Sequence, residues 1–141
     1  MRKTVLGNSN TPDVPLEGSL IAVLPEELRA VMKPVTKWTL NIPPEATTTT
    51  DYTFLMAEFE IFGVRTYSDK VEQSKQAQYD YFKAGNPKVF YKHSDTTKKV
   101  VAWMRSPLAG SSVGFCNVAS SGTVSSYLAG FSLGVAPGFC A

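Results

Sequence analysis

The fold of this chain is decided around one stretch, Val101-Ala102-Trp103-Met104-Arg105-Ser106-Pro107. Every Lys, Arg, Asp and Glu of the sequence lies at or before its arginine. The ionisable side chains after that point are two cysteines and one tyrosine. The stretch therefore joins a charged first part to an uncharged last part, residues 106–141, which is rich in Ser, Gly and apolar residues.

Length and composition predict one globular domain spanning residues 1–141, long enough to bury a core. The hydrophobic share of 43% and the charged share of 18% are typical of such a domain. A net charge of +2 without a basic stripe gives no indication of nucleic-acid binding. No apolar run is long enough to cross a bilayer, so membrane insertion is not expected either.

The charged part predicts an irregular segment followed by two or three helices. Residues 1–20 are dense in turn formers and are predicted to be irregular. A helix with one buried face is predicted between Pro25 and Pro34, because apolar residues recur there at helical spacing. Two more short helices are predicted over residues 57–62, ending at Gly63, and over residues 76–83.

Short strands are predicted between and after these helices. A buried strand is expected over residues 51–56, whereas the prolines before the threonine run favour an exposed loop over residues 41–50. Strands are also expected over residues 88–91 and 100–104, with a polar turn between them.

The uncharged part predicts a β-hairpin and a last edge strand. Residues 114–118 and 123–127 flank Ser120-Ser121-Gly122, a sequence typical of a tight turn. Residues 135–139 are predicted as a strand whose Pro137 places it at a sheet edge. With helices first and short twisted antiparallel strands last, the fold class is predicted to be α+β.

The residues most often used in catalysis form no recognisable site. His93 is the only histidine and lies in a polar turn, where a solvated loop residue is the simplest interpretation. Cys116 and Cys140 could form one bridge, but nothing marks secretion, so free thiols are favoured. Glu58 and Glu60 could be imagined as an acid–base pair, but no further carboxylate pattern supports it.

Arg105 has two interpretations. Its guanidinium could bind a ligand carboxylate or a sulfate. The alternative is an internal strut, paired with Glu60, bonded to loop carbonyls and flanked by Trp103. We favour the strut, since a buried pair of this type fixes geometry more surely than it adds stability.

The segment from Leu108 to Leu133 mixes small hydroxyl residues with Tyr127 and Phe131. It could be a loop-rich wall of the sheet, or a binding face that resembles the contact loops of antibodies in composition. Composition alone leaves these two interpretations about even.

Several motifs together resemble a known domain family. They are Leu24-Pro25-Glu26-Glu27-Leu28-Arg29-Ala30-Val31-Met32-Lys33-Pro34-Val35-Thr36-Lys37, Ala57-Glu58-Phe59-Glu60-Ile61-Phe62-Gly63, Trp103-Met104-Arg105-Ser106-Pro107, Phe115-Cys116-Asn117-Val118 with Gly122, and Gly134-Val135-Ala136-Pro137-Gly138-Phe139. The set resembles a domain of unknown function from gut Firmicutes, their phages and prophages. That family looks related to the C-type-lectin and formylglycine-generating-enzyme fold.

The resemblance implies a C-type-lectin-like domain whose last part displays contact residues. Members of this broad fold include the variable receptor-binding proteins made by diversity-generating retroelements, which present changeable side chains near the C-terminus. By that analogy the candidate ligand-binding residues are Leu108, Ser111, Ser112, Val113, Asn117, Ala119, Ser120, Ser125, Ser126, Tyr127 and Phe131. Glu60, Trp103 and Arg105 would hold the scaffold.

Two departures from the family pattern narrow these expectations. Relatives often carry arginine where Ala136 stands, so a second strut is not expected. The formylglycine-generating branch holds copper with closely spaced cysteines, unlike Cys116 and Cys140. The uncharged part also has no carboxylate for calcium, so neither a metal nor another cofactor is expected.

The leading expectation is a non-enzymatic phage virion protein that displays a recognition surface for a host-cell protein or glycan. A decoration or cement protein of a capsid or tail, bound to other virion proteins, is the alternative. An enzyme related to the formylglycine-generating branch is the third. We expect a homo-oligomer located in the phage particle, or in the bacterial cytoplasm if the protein comes from a prophage.

Overall fold

The structure is a computed structural model that describes residues 1–42 and 45–141, with only the backbone described for residues 40–42, 45 and 46. Its α-helices are α1 Glu26–Val31, α2 Glu58–Phe62, α3 Lys70–Gln73 and α4 Asp80–Lys83, and a 3₁₀ helix covers Ile21–Val23. Its strands are β1 Val35–Ile42, β2 Glu45–Asp51, β3 Thr53–Leu55, β4 Phe90–Lys92, β5 Asp95–Val100, β6 Ala102–Pro107, β7 Gly114–Val118, β8 Val124–Leu128, β9 Gly134–Val135 and β10 Pro137–Phe139.

The fold class is mixed α+β, with short helices and small sheets. The strands form a four-stranded sheet in the order β8-β7-β6-β9 and the pairs β1-β2, β3-β10 and β4-β5. None of the described helices is long and apolar enough to cross a membrane.

The chain divides into two compact units. The first comprises Met1–Lys37, Thr48–Phe54 and Pro137–Ala141, and the second comprises Trp38–Thr47 and Leu55–Ala136.

In the first unit, hydrogen bonds hold the irregular N-terminal segment in place. The Asn8 amide donates to the Thr53 carbonyl at 2.6 Å and accepts from the Tyr52 N–H at 2.9 Å. Arg2 forms an ion pair with the buried Asp51 at 2.6 Å. Residues 1–20 are thus irregular, as predicted, but the side chains of Arg2 and Asn8 have defined partners.

In the second unit, the core lies between helix α2 and one face of the four-stranded sheet. Ile61, Phe82, Met104, Cys116 and Val118 form its buried cluster. Val118 and Cys116 alternate with Asn117 along β7, so that β7 turns one face to this core. The opposite face carries Asn117 and Trp103, which are also buried, and Tyr127, which is exposed.

Some predicted elements are confirmed and others are wrong. The β7–β8 hairpin and helix α2 with its Gly63 cap, at φ 69°, lie where the sequence predicted them. The threonine run is a strand, β2, instead of the exposed loop; Pro43 and Pro44 lie outside the described residues.

The expected buried face of α1 is absent, since none of its six residues is buried. The helix is too short to present a stripe, and the buried Met32 lies just past its end.

Other elements were missed. Helix α3 lies between the helices predicted over residues 57–62 and 76–83, where no helix was predicted, and strand β5 begins in the predicted polar turn. All residues of β5 except Val100 are exposed, so it has no apolar alternation to detect. The described chain has four α-helices instead of two or three, and β9 pairs with β6 in parallel, so the strands are not all antiparallel.

We predict that Gly122→Ala destabilises the protein by about 1 kcal/mol. Gly122 has φ 86° in the β7–β8 turn, and an added Cβ would lie 3.1 Å from the Val89 side chain. Gly130→Ala is the control, because a Cβ at Gly130 meets nothing within 4 Å and its φ is not positive. Urea unfolding of both variants gives the comparison; an equal effect of the two would contradict this account.

Candidate functional site

Arg105 forms the ion pair with Glu60 that the sequence led us to expect. Its Nη1 contacts Glu60 Oε2 at 2.5 Å, and both side chains are nearly buried. The same Nη1 donates to the Leu55 carbonyl at 2.9 Å, and Nε donates to the Trp38 carbonyl at 3.3 Å. Arg105 is therefore an internal strut in this structure, bonded to two loop or strand carbonyls and one carboxylate.

Glu60 is fixed from its other side as well. Its Oε2 accepts from the Ala57 N–H at 2.9 Å, which satisfies one of the free donors at the start of α2. The Arg105 N–H also donates to the Met56 carbonyl at 3.1 Å. The strut thus ties the start of α2 to β6 through both its backbone and its side chain.

Glu58 performs a role that the sequence did not reveal. Its side chain is fully buried, and its carboxylate accepts from the N–H groups of Thr66 at 2.7 Å, Tyr67 at 3.0 Å and Ser68 at 2.6 Å. The Tyr67 carbonyl in turn accepts from the Ala109 N–H at 2.8 Å. Glu58 therefore positions a loop that holds the start of the uncharged part.

Ser106 connects this loop anchor to helix α3. Its hydroxyl accepts from the Glu58 N–H at 2.9 Å and donates to Glu72 Oε2 at 2.5 Å. Ser106 and Glu72 are both buried, so the bonds form in a low-dielectric environment where they are stronger than in water. The position of Ser106 directly after Arg105 was the one indication of this role in the sequence. The sequence did not show that the Ser106 hydroxyl would accept from the Glu58 N–H.

Cys116 lies beside the same carboxylates. Its Sγ is 4.0 Å from Glu58 Oε2, and neither cysteine of the structure forms a disulfide. Burial raises the pKa of the Cys116 thiol, and the negative charges of Glu58 and Glu72 raise it further. The thiol therefore stays protonated at neutral pH, which makes it a poor nucleophile. Cys140, in contrast, is exposed.

The candidate contact residues fall into three groups by burial. Exposed members are Ser112, Val113, Ser120, Tyr127 and Phe131; partly buried members are Leu108, Ser111, Ala119, Ser125 and Ser126; Asn117 is fully buried. Asn117 has no exposed surface with which to contact a partner in this structure. It lies in β7 between Trp103 and Ser125 of the flanking strands, and its buried amide has no hydrogen-bond partner among the described residues.

The candidates also do not share one face. Cross-strand pairing places Ser125 and Tyr127 on the sheet face of Asn117 and Phe115, whereas Ser126 is on the face of Cys116 and the core. Ser111 serves the local turn, since its Oγ accepts from the Gly114 N–H at 2.9 Å. The period of two in strands would have made this division predictable once the hairpin was recognised.

An aromatic surface remains on the side away from the core. Tyr127 and Phe131 are 43% and 53% exposed, and their ring centroids are 5.1 Å apart. Phe115 lies opposite Tyr127 in the sheet and contacts Trp103 edge-to-face, with centroids 6.4 Å apart. We call Trp103, Phe115, Tyr127 and Phe131 the aromatic face: its first residue is buried, and its last two are open to a partner.

The structure offers no constellation for metal chemistry in the part of the chain that it describes. No group of three or more His, Cys, Asp or Glu side chains there is placed to hold a metal ion. His93 is exposed between β4 and β5. The buried carboxylates of Glu58 and Glu60 are used by backbone donors and by Arg105.

Comparison with known proteins gives one match. Residues 9–141 match the model of a domain of unknown function, DUF6273. The chain belongs to this family. No curated protein and no solved structure matches it.

We predict that Ellman's reagent modifies one thiol per folded chain and two per unfolded chain. Cys116 is buried and protonated, whereas Cys140 is exposed. Cys140→Ser is the control and should abolish the reaction of the folded protein. Rapid modification of folded Cys140→Ser would contradict the placement of Cys116.

Proposed function

We propose that this DUF6273 protein is a non-enzymatic binding module whose aromatic face recognises a host-cell receptor or glycan. The exposed Tyr127–Phe131 pair carries the proposal. Tyrosine combines a flat apolar ring with a hydroxyl group and loses little conformational entropy on binding, which suits it to contact surfaces. The pair stands in an uncharged segment that also supplies the exposed hydroxyls of Ser112 and Ser120.

The support beneath this surface favours binding without large rearrangement. Tyr127 is on β8, which pairs with β7 over five consecutive residues, and β7 packs on the core. Behind β7, the Arg105–Glu60 pair and the Glu58 loop anchor fix β6 and the start of the uncharged part. Rigid support reduces the entropy lost when a partner binds, because fewer groups must be ordered.

The use of the buried polar residues is consistent with a non-enzymatic role. A catalytic acid or base must reach a substrate. In this protein Glu58 accepts three backbone hydrogen bonds and Glu60 is paired with Arg105, so their carboxylates hold the fold. The raised pKa of Cys116 also argues against a thiolate or copper-binding role for that residue.

The resemblance in sequence supplies the finer part of the proposal. It leads us to propose a C-type-lectin-like architecture, with residues 106–141 as the display region and a phage particle as the location. A prophage-encoded protein would occupy the bacterial cytoplasm before assembly. The concentration of short strands in the uncharged part agrees with this assignment.

A second function has one observation in its favour. Val113 and Leu128 are 56% and 55% exposed, and the Ala129 N–H bonded to the Val113 carbonyl brings their two segments together. Exposed aliphatic side chains beside aromatic ones suit a lasting protein–protein contact. A decoration or cement protein, fixed to other virion proteins through this surface, would use it in that way.

We predict that Tyr127→Ala and Phe131→Ala each weaken binding at least tenfold, either to host cells or to a glycan that the unmodified protein binds on an array. Both side chains are exposed, so folding is expected to be little affected. Tyr91→Ala is the matched control, because Tyr91 is 50% exposed on β4 and outside the aromatic face. Whole-cell binding and a glycan array measure the effect.

Unchanged binding in both variants would contradict the proposed site. Binding to purified virions but not to cells or glycans, lost in the same two variants, would instead identify the decoration role.

A further inference from the structure

The outer edge of β8 is an unprotected sheet edge. In the order β8-β7-β6-β9, β8 has β7 on one side and none of the described strands on the other. Its sequence, Val124 to Leu128, contains no charge and no proline, and its register with β7 has no bulge. Charges, prolines and bulges are the usual means by which proteins prevent edge-to-edge pairing.

Other edges in the described part of the chain differ from β8. Strand β9, at the opposite end of the same sheet, has only two residues. Strand β5 of the separate hairpin carries Lys98 and Lys99, which would repel a second copy. Compared with these two edges, β8 combines useful length with an uncharged surface.

The hydrogen-bond pattern shows which β8 groups point outward. The Ala119 N–H donates to the Thr123 carbonyl, and the Ala129 N–H donates to the Val113 carbonyl. Bonded pairs alternate along an antiparallel ladder, so Ser125 and Tyr127 turn their backbone groups to β7. The backbone groups of Val124, Ser126 and Leu128 therefore face away from the sheet. The Leu128 carbonyl already accepts from the Phe131 N–H at 3.1 Å, so the groups open to a new strand are those of Val124 and Ser126 and the Leu128 N–H.

We propose that two copies of this chain pair through β8, antiparallel, about a twofold axis at Ser126. Ser126 would then face Ser126 of the second copy, and Val124 would face Leu128 of the second copy. On the other side of the sheet, Ser125 would face Tyr127 of the second copy. Each pairing joins apolar to apolar or hydroxyl to hydroxyl, so the strand is complementary to its own reverse.

Charge selects a second copy over a charged foreign strand. Around a twofold axis every charged group meets its own copy or a neighbour's, and like charges directly opposite are destabilising. The uncharged β8 avoids this repulsion, and it offers a charged peptide no opposite charge to attract it. The pairing produces an eight-stranded sheet from two four-stranded sheets.

The dimer would set two aromatic faces side by side on one continuous sheet. Tyr127 of each copy stays on the face opposite the core, so two recognition surfaces point the same way. A multivalent target such as a cell surface would then bind more tightly than one chain allows. The dimer itself does not depend on the proposed ligand, so oligomeric state and binding can be measured separately.

Charged residues introduced at Ser126 test the proposal, with sedimentation velocity as the measurement of oligomeric state. We expect the unmodified chain to dimerise with increasing concentration, and Ser126→Lys and Ser126→Glu each to stay monomeric. Mixing the two variants should restore a dimer, because opposite charges then meet at the axis. Ser112→Lys, an exposed change outside β8, should dimerise like the unmodified chain.

A cross-link provides the second test, since Ser126 is partly buried and its charged variants could unfold. Directly paired residues have Cα atoms about 5.5 Å apart, within the span of a disulfide. Ser126→Cys with Cys140→Ser should form a covalent dimer on oxidation with diamide, whereas Ser112→Cys with Cys140→Ser should not. A monomer at every concentration, or cross-linking equal to the control, overturns the proposal and leaves the edge to a strand of another protein.

Discussion

The structure of the second unit depends on one ion pair, between Arg105 and Glu60. Three segments of the unit meet at the guanidinium, which bonds to Trp38, Leu55 and Glu60. Removing two charges from water is costly, and the pair offsets this only with the additional hydrogen bonds made by Arg105 Nη1 and Nε and by the Ala57 N–H. Arg105 is also the last charged residue of the sequence, so the strut marks the place where the charged part ends.

The uncharged part can serve recognition because the buried charged groups that hold the fold precede it in the sequence. Glu58 holds the loop at Tyr67, which bonds to Ala109, and Ser106 bonds to both the Glu58 N–H and Glu72. Of these residues, Glu58, Ser106 and Glu72 are buried. The strands after them can therefore expose small hydroxyl and aromatic side chains without leaving buried charges unsatisfied.

Much of the second unit could be predicted from local sequence. The β7–β8 hairpin has a turn that needs Gly122 at positive φ, and α2 ends at Gly63 for the same reason. Strand β5 could not be predicted, because its two solvated faces produce no alternation. The burial of Asn117 and the loop anchor at Glu58 depend on long-range packing, which single-sequence patterns do not contain.

A double-mutant cycle tests the central role of the strut most directly. Arg105→Met should lower the free energy of unfolding by about 3–5 kcal/mol, because it leaves the Glu60 carboxylate buried without its partner. Adding Glu60→Met should then recover part of that loss, giving a coupling energy of about 1–3 kcal/mol between the two sites. Denaturant unfolding of the four proteins measures it. Additive effects, within about 0.5 kcal/mol, would show that the pair does not hold this structure together.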